Sequence, residues 1–85
     1  MRILAKAEIH NNIRKLRFEH GELTQQDLAA AAGCSRQTIV LLEQGRYAPS
    51  LALAFFIAKQ FDLTVDEVFK LVEKREKGDT HNLTT

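Results

Sequence analysis

The sequence predicts a small all-α domain of five short helices, and three observations support this class. Apolar residues recur at helical spacing, as Ile9, Ile13 and Leu16 do, and no strand pattern of any length is visible. The one proline and the four glycines fall at boundaries between the periodic segments. The chain has 85 residues, which is enough for one hydrophobic core and too few for two.

Composition excludes several other classes of protein. Hydrophobic residues make up 45% and charged residues 27%, as in an ordinary globular domain, and the net charge is only +1. No apolar run approaches the roughly 20 residues that cross a bilayer, so a membrane protein is not expected. The single cysteine, Cys34, cannot form an intrachain disulfide, which favours a cytoplasmic protein. So small a fold leaves little room for an enclosed catalytic site, and we expect no enzyme.

Local signals define each helix in turn. The predicted helices cover residues 9–20, 25–32, 36–44, 51–61 and 65–74. Gly21, Gly33 and Gly45 follow the first three, where a left-handed residue commonly ends a helix. Thr24 and Thr64 each precede an acidic residue by three positions, which is the pattern of a capping box. We therefore expect an N-terminal extension at 1–8, the helical domain at 9–74 and a polar tail at 75–85.

The spacing of small and apolar residues between Gln25 and Leu42 is the most informative pattern. Counted from Gln25 as one, Ala29, Gly33, Ile39 and Leu42 stand at positions five, nine, fifteen and eighteen. A small residue lets two helices cross closely, a glycine allows a sharp turn, and the two apolar residues face inward. This combination is typical of the helix-turn-helix motif.

The same stretch carries a resemblance to a known family. LTQQDLAAAAGCSRQTIVLLEQGRYAPSLALAFFIAKQFDLTVDEVF, with NNIRKLR before it, resembles the Cro and phage-repressor type of helix-turn-helix regulators, also called the xenobiotic-response-element family. The likeness covers roughly residues 9–72. It implies a five-helix, lambda-repressor-like domain that binds double-stranded operator DNA, usually as a symmetric dimer and without a cofactor.

One face of the third helix is the predicted base-contacting surface. Arg36, Gln37, Val40, Leu41 and Gln44 form a contiguous face opposite Ile39 and Leu42. The N-terminal residues of such a helix meet base edges in the major groove, where Arg36 is suited to a guanine and Gln37 to an adenine. Val40 and Leu41 depart from the family, which more often has small or polar residues there. Leu41 either contacts a thymine methyl group or shields the edge of the core.

Backbone contacts to DNA are expected beside this face. Gln25 begins the second helix, where the helix dipole and free N–H groups favour an anion, and the family's glutamine at this position contacts the DNA backbone. The other predicted phosphate-binding residues are Ser35, Thr38, Arg46 and Tyr47. The resemblance also implies an ion pair between Arg17 and Glu43 that fixes the angle of the third helix.

Surplus apolar residues predict a contact with a second subunit. Val65 and Val72 belong to the fifth helix, which can bury only one side on its own domain. Phe18 lies opposite the first-helix stripe, and Phe56 stands where the family commonly has lysine. We expect either that the N-terminal segment, with Ile3 and Leu4, covers Phe18 or Phe56, or that these residues bind another subunit.

The remaining alternatives differ in the partner of the protein. His10, His20, His81 and Cys34 lack the spacing of metal ligands, so no metal site is expected. No small-molecule substrate is expected either, because the chain contains no phosphate-binding glycine loop and no nucleophile–base pair. The preferred interpretation is a homodimeric transcriptional regulator that binds a palindromic operator, with repression as the preferred action. The alternatives are an antitoxin that also binds a toxin, and a protein-interaction module without DNA binding.

Overall fold

The computed structural model describes residues 5–75 of the chain, and these form five helices and two strands. The elements in order are β1 (Ala5–Asn11), α1 (Ile13–Glu19), α2 (Gln25–Ala32), α3 (Arg36–Glu43), α4 (Leu51–Gln60), α5 (Val65–Val68) and β2 (Phe69–Arg75). The proposed tail from 76 onwards, and Ile3 and Leu4, lie outside the described residues.

The helices enclose one apolar core. Ile13, Leu28, Ile39 and Ile57 have no exposed surface, and each comes from a different helix. The other buried apolar residues are Leu16, Ala29, Ala32, Leu42, Ala54, Ala58, Phe61, Val68 and Phe69. The side chains that the sequence placed inward on the helix-turn-helix therefore lie in the core of the domain.

The all-α prediction is wrong for the first and last described segments, which form the strands β1 and β2. β1 and β2 pair antiparallel, with Asn11 opposite Phe69 and Ile9 opposite Leu71. The predicted strand-free chain therefore contains a two-stranded ribbon, although most of the described residues outside it are helical. Local periodicity did not reveal the ribbon because its two strands come from opposite ends of the sequence.

The fifth helix is a single turn, whereas the sequence predicted a helix to residue 74. It ends at Val68, because Phe69 takes extended angles (φ −116°, ψ 140°) and the Val68 carbonyl accepts the Asn12 N–H at 3.2 Å. Val65, Val68, Phe69 and Val72 repeat at helical spacing, which misled the prediction. The residues beyond Val68 pair with β1 instead, and this supplies the hydrogen bonds that a longer helix would have made internally.

The first helix is also shorter than predicted, because Ile9 belongs to β1 and α1 begins at Ile13. Ile9 still packs against the core, so its apolar character was interpreted correctly and its secondary structure was not. The side chain of Asn11 fixes the junction between strand and helix. Its Oδ1 accepts the Ile13 N–H at 3.1 Å, and its Nδ2 donates to the Leu42 carbonyl at 2.8 Å. One amide thus joins β1, α1 and the end of α3.

The two asparagines at this junction offer a matched stability test. Asn11→Ala removes two hydrogen bonds and leaves a part-buried carbonyl without its partner, so we expect a loss of about 1–3 kcal/mol in the free energy of unfolding. The control is Asn12→Ala, which loses an exposed side-chain bond to the Glu67 carbonyl at 3.4 Å. Urea unfolding followed by circular dichroism measures both. Equal losses would contradict the role given to Asn11.

Candidate nucleic-acid interface

The α2–turn–α3 unit is held at its ends by local hydrogen bonds. Thr24 and Asp27 form a reciprocal capping box at the start of α2, with the Asp27 N–H donating to the Thr24 hydroxyl at 2.9 Å. Gly33 ends α2 with φ of 82°, a left-handed conformation that glycine adopts most easily. The Ser35 hydroxyl then caps α3 by accepting the Thr38 N–H at 3.2 Å. The capping box at Thr24 and the helix end at Gly33 were predicted from the sequence, and the structure confirms both.

α3 has an inward and an outward face. Ile39 and Leu42 are buried, whereas Arg36 and Gln37 are exposed at the first turn of the helix. Val40 and Leu41 are half-buried, and Gln44 is exposed at the C-cap, just beyond the last helical residue. The outward face therefore begins with two polar side chains that are free to extend and continues with two apolar ones that keep part of their surface accessible.

The residues that flank α3 differ in how free they are. The Ser35 and Thr38 hydroxyl oxygens are 3.0 Å apart, so the two side chains are hydrogen-bonded to each other. Arg46 and Tyr47 are exposed on the loop after α3, and they line a surface groove together with β1 residues that include Ala7 and Ile9. The sequence placed Arg46 and Tyr47 on a loop and did not foresee the strand beside them.

Arg17 and Glu43 form a buried, bidentate ion pair. The Arg17 Nε donates to Glu43 Oε2 at 2.7 Å and its Nη2 donates to Oε1 at 3.0 Å, with both side chains under 10% exposed. Arg17 Nη1 also donates to the Leu23 carbonyl at 2.9 Å. The Gln25 side-chain amide also donates to Glu43 Oε1 at 3.2 Å. We call these four connected residues, Arg17, Leu23, Gln25 and Glu43, the Glu43 junction.

The Glu43 junction restricts what Gln25 offers to a ligand. One amide N–H of Gln25 is used by Glu43, which leaves the second N–H and the side-chain oxygen. Gln25 also remains the first residue of α2, where the early backbone N–H groups lack helical partners. A phosphate contact at Gln25 therefore requires the backbone or the second amide N–H.

Sequence reasoning missed a groove beside the Glu43 junction. Arg14, Phe18, Gln25, Val40 and Gln44 line this open groove, together with Glu22, Arg17 and Glu43 and the neighbouring Leu23 and Thr24. The Arg14 and Arg17 guanidinium carbons lie 5.8 and 5.5 Å from the centre of the Phe18 ring. The one available signal was the i, i+4 spacing of Arg14 and Phe18 on a helix.

The predicted subunit contacts are spread over four elements. Phe18 is 53% exposed on α1 and Phe56 is 52% exposed on α4. Val65 is half-buried at the start of α5 and packs against the core, while Val72 lies half-buried on β2 opposite Glu8. Leu51 and Phe55, both on α4, are more exposed still. The sequence did not single them out because α4 is almost wholly apolar, so no polar stripe marks its outer face.

Cys34 lies in the turn of the motif, half-buried and packed against the core. Burial raises the pKa of its thiol, so the sulfur stays protonated and weakly reactive. Within residues 5–75 the His, Cys, Asp and Glu side chains form no group of three suited to hold a metal ion. No helix in the same part of the chain is long and apolar enough to cross a membrane.

Comparison with known proteins identifies the class of this domain. A helix-turn-helix family profile matches residues 13–68, which spans α1 to α5. The chain belongs to this family of Cro-type helix-turn-helix proteins.

Several curated relatives match most of this chain. An uncharacterised HTH-type transcriptional regulator of Methanocaldococcus jannaschii is 49% identical over 59 residues, which cover 69% of this chain and 88% of the relative. One of Methanothermobacter thermautotrophicus is 47% identical over 66 residues, covering 76% and 94%. YgzD of Bacillus subtilis, also an uncharacterised HTH-type transcriptional regulator, is 39% identical over 64 residues, covering 75% and 96%.

The Glu43 junction predicts a large stability effect. Arg17→Met leaves a buried carboxylate without its partner, so we expect a loss of about 3–5 kcal/mol in the free energy of unfolding. The matched control is Lys15→Met on the same helix, whose pair with Glu19 is exposed and 4.0 Å long, and it should cost less than about 0.5 kcal/mol. Chemical denaturation measures both variants, and similar losses would show that the Arg17 pair does not act as a buried one.

Proposed function

We propose that this protein is a sequence-specific DNA-binding transcriptional regulator in which α3 enters the major groove. The observation that carries the proposal is the two-faced third helix. Ile39 and Leu42 hold it in the core, while Arg36 and Gln37 extend from its exposed N-terminal turn. A helix placed in this way in a helix-turn-helix protein presents its first residues to base edges. The relatives' names, which call them transcriptional regulators, support the same class.

Each outward residue has a chemical role in this proposal. Arg36 binds a guanine with two hydrogen bonds, Gln37 binds an adenine, and Gln44 contacts a base edge further along the groove. Val40 and Leu41 are only half-exposed, which suits contact with thymine methyl groups better than hydrogen bonding. The alternative for Leu41 is that it shields the edge of the core, and its half-buried position is compatible with that role too.

Phosphate contacts complete the interface. Gln25, Arg46 and Tyr47 are the main donors in this proposal, because one hydroxyl of the Ser35–Thr38 pair donates to the other and only the second hydroxyl can donate to a phosphate. The basic side chains that could contact phosphates are few, and neither half of the protein is strongly positive. Residues 1–47 carry seven basic and five acidic side chains, and residues 48–85 carry five and six. We therefore expect a shallow dependence of affinity on salt, since each neutralised phosphate contributes about 0.9 to the slope.

The proposed functional unit is a homodimer. Two-fold symmetry places two third helices about 34 Å apart, one turn of DNA, and this requires a palindromic operator. Val65, Val72 and Phe56 are the proposed contact residues, and the exposed Leu51 and Phe55 on α4 supply more apolar surface near Phe56 in sequence. Repression by occupying a promoter is the simplest action for such a domain.

Selection from random duplexes tests the DNA-binding proposal. We expect recovery of a palindrome by the wild-type protein, and Arg36→Ala should relax the preference at one position in each half-site, at a cost of about 1–3 kcal/mol in discrimination. The control Lys59→Ala removes the same charge from α4 and should leave the preferred sequence unchanged. No enrichment of any duplex at low salt would refute the proposal.

Sedimentation tests the proposed dimer contact separately. Phe56→Lys puts a charge in place of a half-exposed aromatic ring. We therefore expect its dimer to dissociate at a higher protein concentration than the wild-type dimer does. Gln60→Lys adds the same charge one turn later on α4 and serves as the control. An unchanged sedimentation profile for Phe56→Lys would remove Phe56 from the interface.

A further inference from the structure

We infer that Arg14 binds a phosphate of the DNA backbone and that Phe18 is the positioning residue that holds Arg14 for this contact. The inference rests on the proposed function, since it adds a phosphate-binding residue to the same interface. It starts from the groove beside α3. One wall of this groove includes Val40 and Gln44, which belong to the proposed base-contacting face, and Arg14 lines the groove with them.

Arg14 is the cation in this groove that is available to a ligand. The guanidinium of Arg17 is used by Glu43 and the Leu23 carbonyl. Among the described residues, Arg14 forms no ion pair, and its side chain is exposed. Within residues 5–75 its guanidinium also makes no hydrogen bond, so its N–H donors are available to a ligand.

The ring of Phe18 restricts the position of the Arg14 guanidinium. The Arg14 guanidinium carbon lies 5.8 Å from the ring centre, within the distance for a cation–π interaction. Because Arg17 contacts the same ring at 5.5 Å and is itself fixed by Glu43, the ring has a defined position. A half-exposed phenylalanine that holds a cation needs no second subunit to account for its exposure.

The position of the groove beside α3 indicates that the ligand of Arg14 is a DNA phosphate. A duplex seated against Val40 and Gln44 has a backbone strand beside its major groove, and the groove that contains Arg14 and Gln25 adjoins these two residues. Gln25 and Arg14 line the same groove, so both side chains are placed to contact this backbone strand. Glu22 also lines the groove, and its carboxylate repels a phosphate. Removing the charge of Glu22 should therefore strengthen DNA binding, whereas removing the charge of Arg14 should weaken it.

The first experiment measures DNA affinity of the full-length protein against salt concentration, on the duplex recovered by selection. Arg14→Gln should weaken binding to all sequences alike and reduce the salt slope by about 0.9. Lys59→Gln, an equal loss of charge on α4 outside the groove, should leave the slope unchanged. Glu22→Gln should strengthen binding. Equal slopes for the wild type and Arg14→Gln, or equal losses for Arg14→Gln and Lys59→Gln, would overturn the inference.

The second experiment tests the positioning role of Phe18. Phe18→Leu should weaken DNA binding when Arg14 is present and have little further effect in the Arg14→Gln background, with helix content unchanged by circular dichroism. Additive losses would overturn the role of Phe18. A changed base preference in Arg14→Gln would assign Arg14 to a base and not to a phosphate. If the wild-type protein binds no duplex, the proposed function fails, whereas binding without an Arg14 effect defeats this inference alone.

Discussion

The carboxylate of Glu43 determines where the third helix sits. It accepts two hydrogen bonds from Arg17 on α1 and one from Gln25 at the start of α2, and Arg17 also bonds the Leu23 carbonyl in the loop between these helices. A single charged group at the end of α3 is thus tied to every element that precedes it in the helical domain. Because a buried carboxylate is costly without partners, these contacts hold together or are lost together.

This constraint links the core of the domain to its proposed interface. Ile39 and Leu42 fix α3 from below through packing, and Glu43 fixes its C-terminal end by charge and hydrogen bonds. The angle at which Arg36 and Gln37 project is then set by the domain and not by the ligand. Preorganisation of this kind lowers the ordering cost of binding. The same junction holds the Phe18 ring, because Arg17 lies over it, and so extends the organised surface to Arg14.

Much of the helix-turn-helix was predictable from the sequence because its determinants are local. Ala29, Gly33, Ile39 and Leu42 occupy fixed positions in two short helices and one turn, and the caps at Thr24 and Ser35 depend on residues three positions away. Spacing alone therefore predicted which side of α3 faces the core. The pairing of Arg17 with Glu43 came from resemblance to a family, since 26 residues separate them and no local pattern connects them.

The sequence by itself determined the helix-turn-helix, its caps and its inward residues, since these depend on neighbours within a few turns. Tertiary structure decided the rest. The Asn12 N–H donates to the Val68 carbonyl and β1 pairs with β2, so the residues from Phe69 onwards form a strand in place of the predicted helix. The Arg14 groove likewise requires α1, α2 and α3 to be in place. Pairing between residues far apart in the chain thus overrode a local periodicity that favoured a helix.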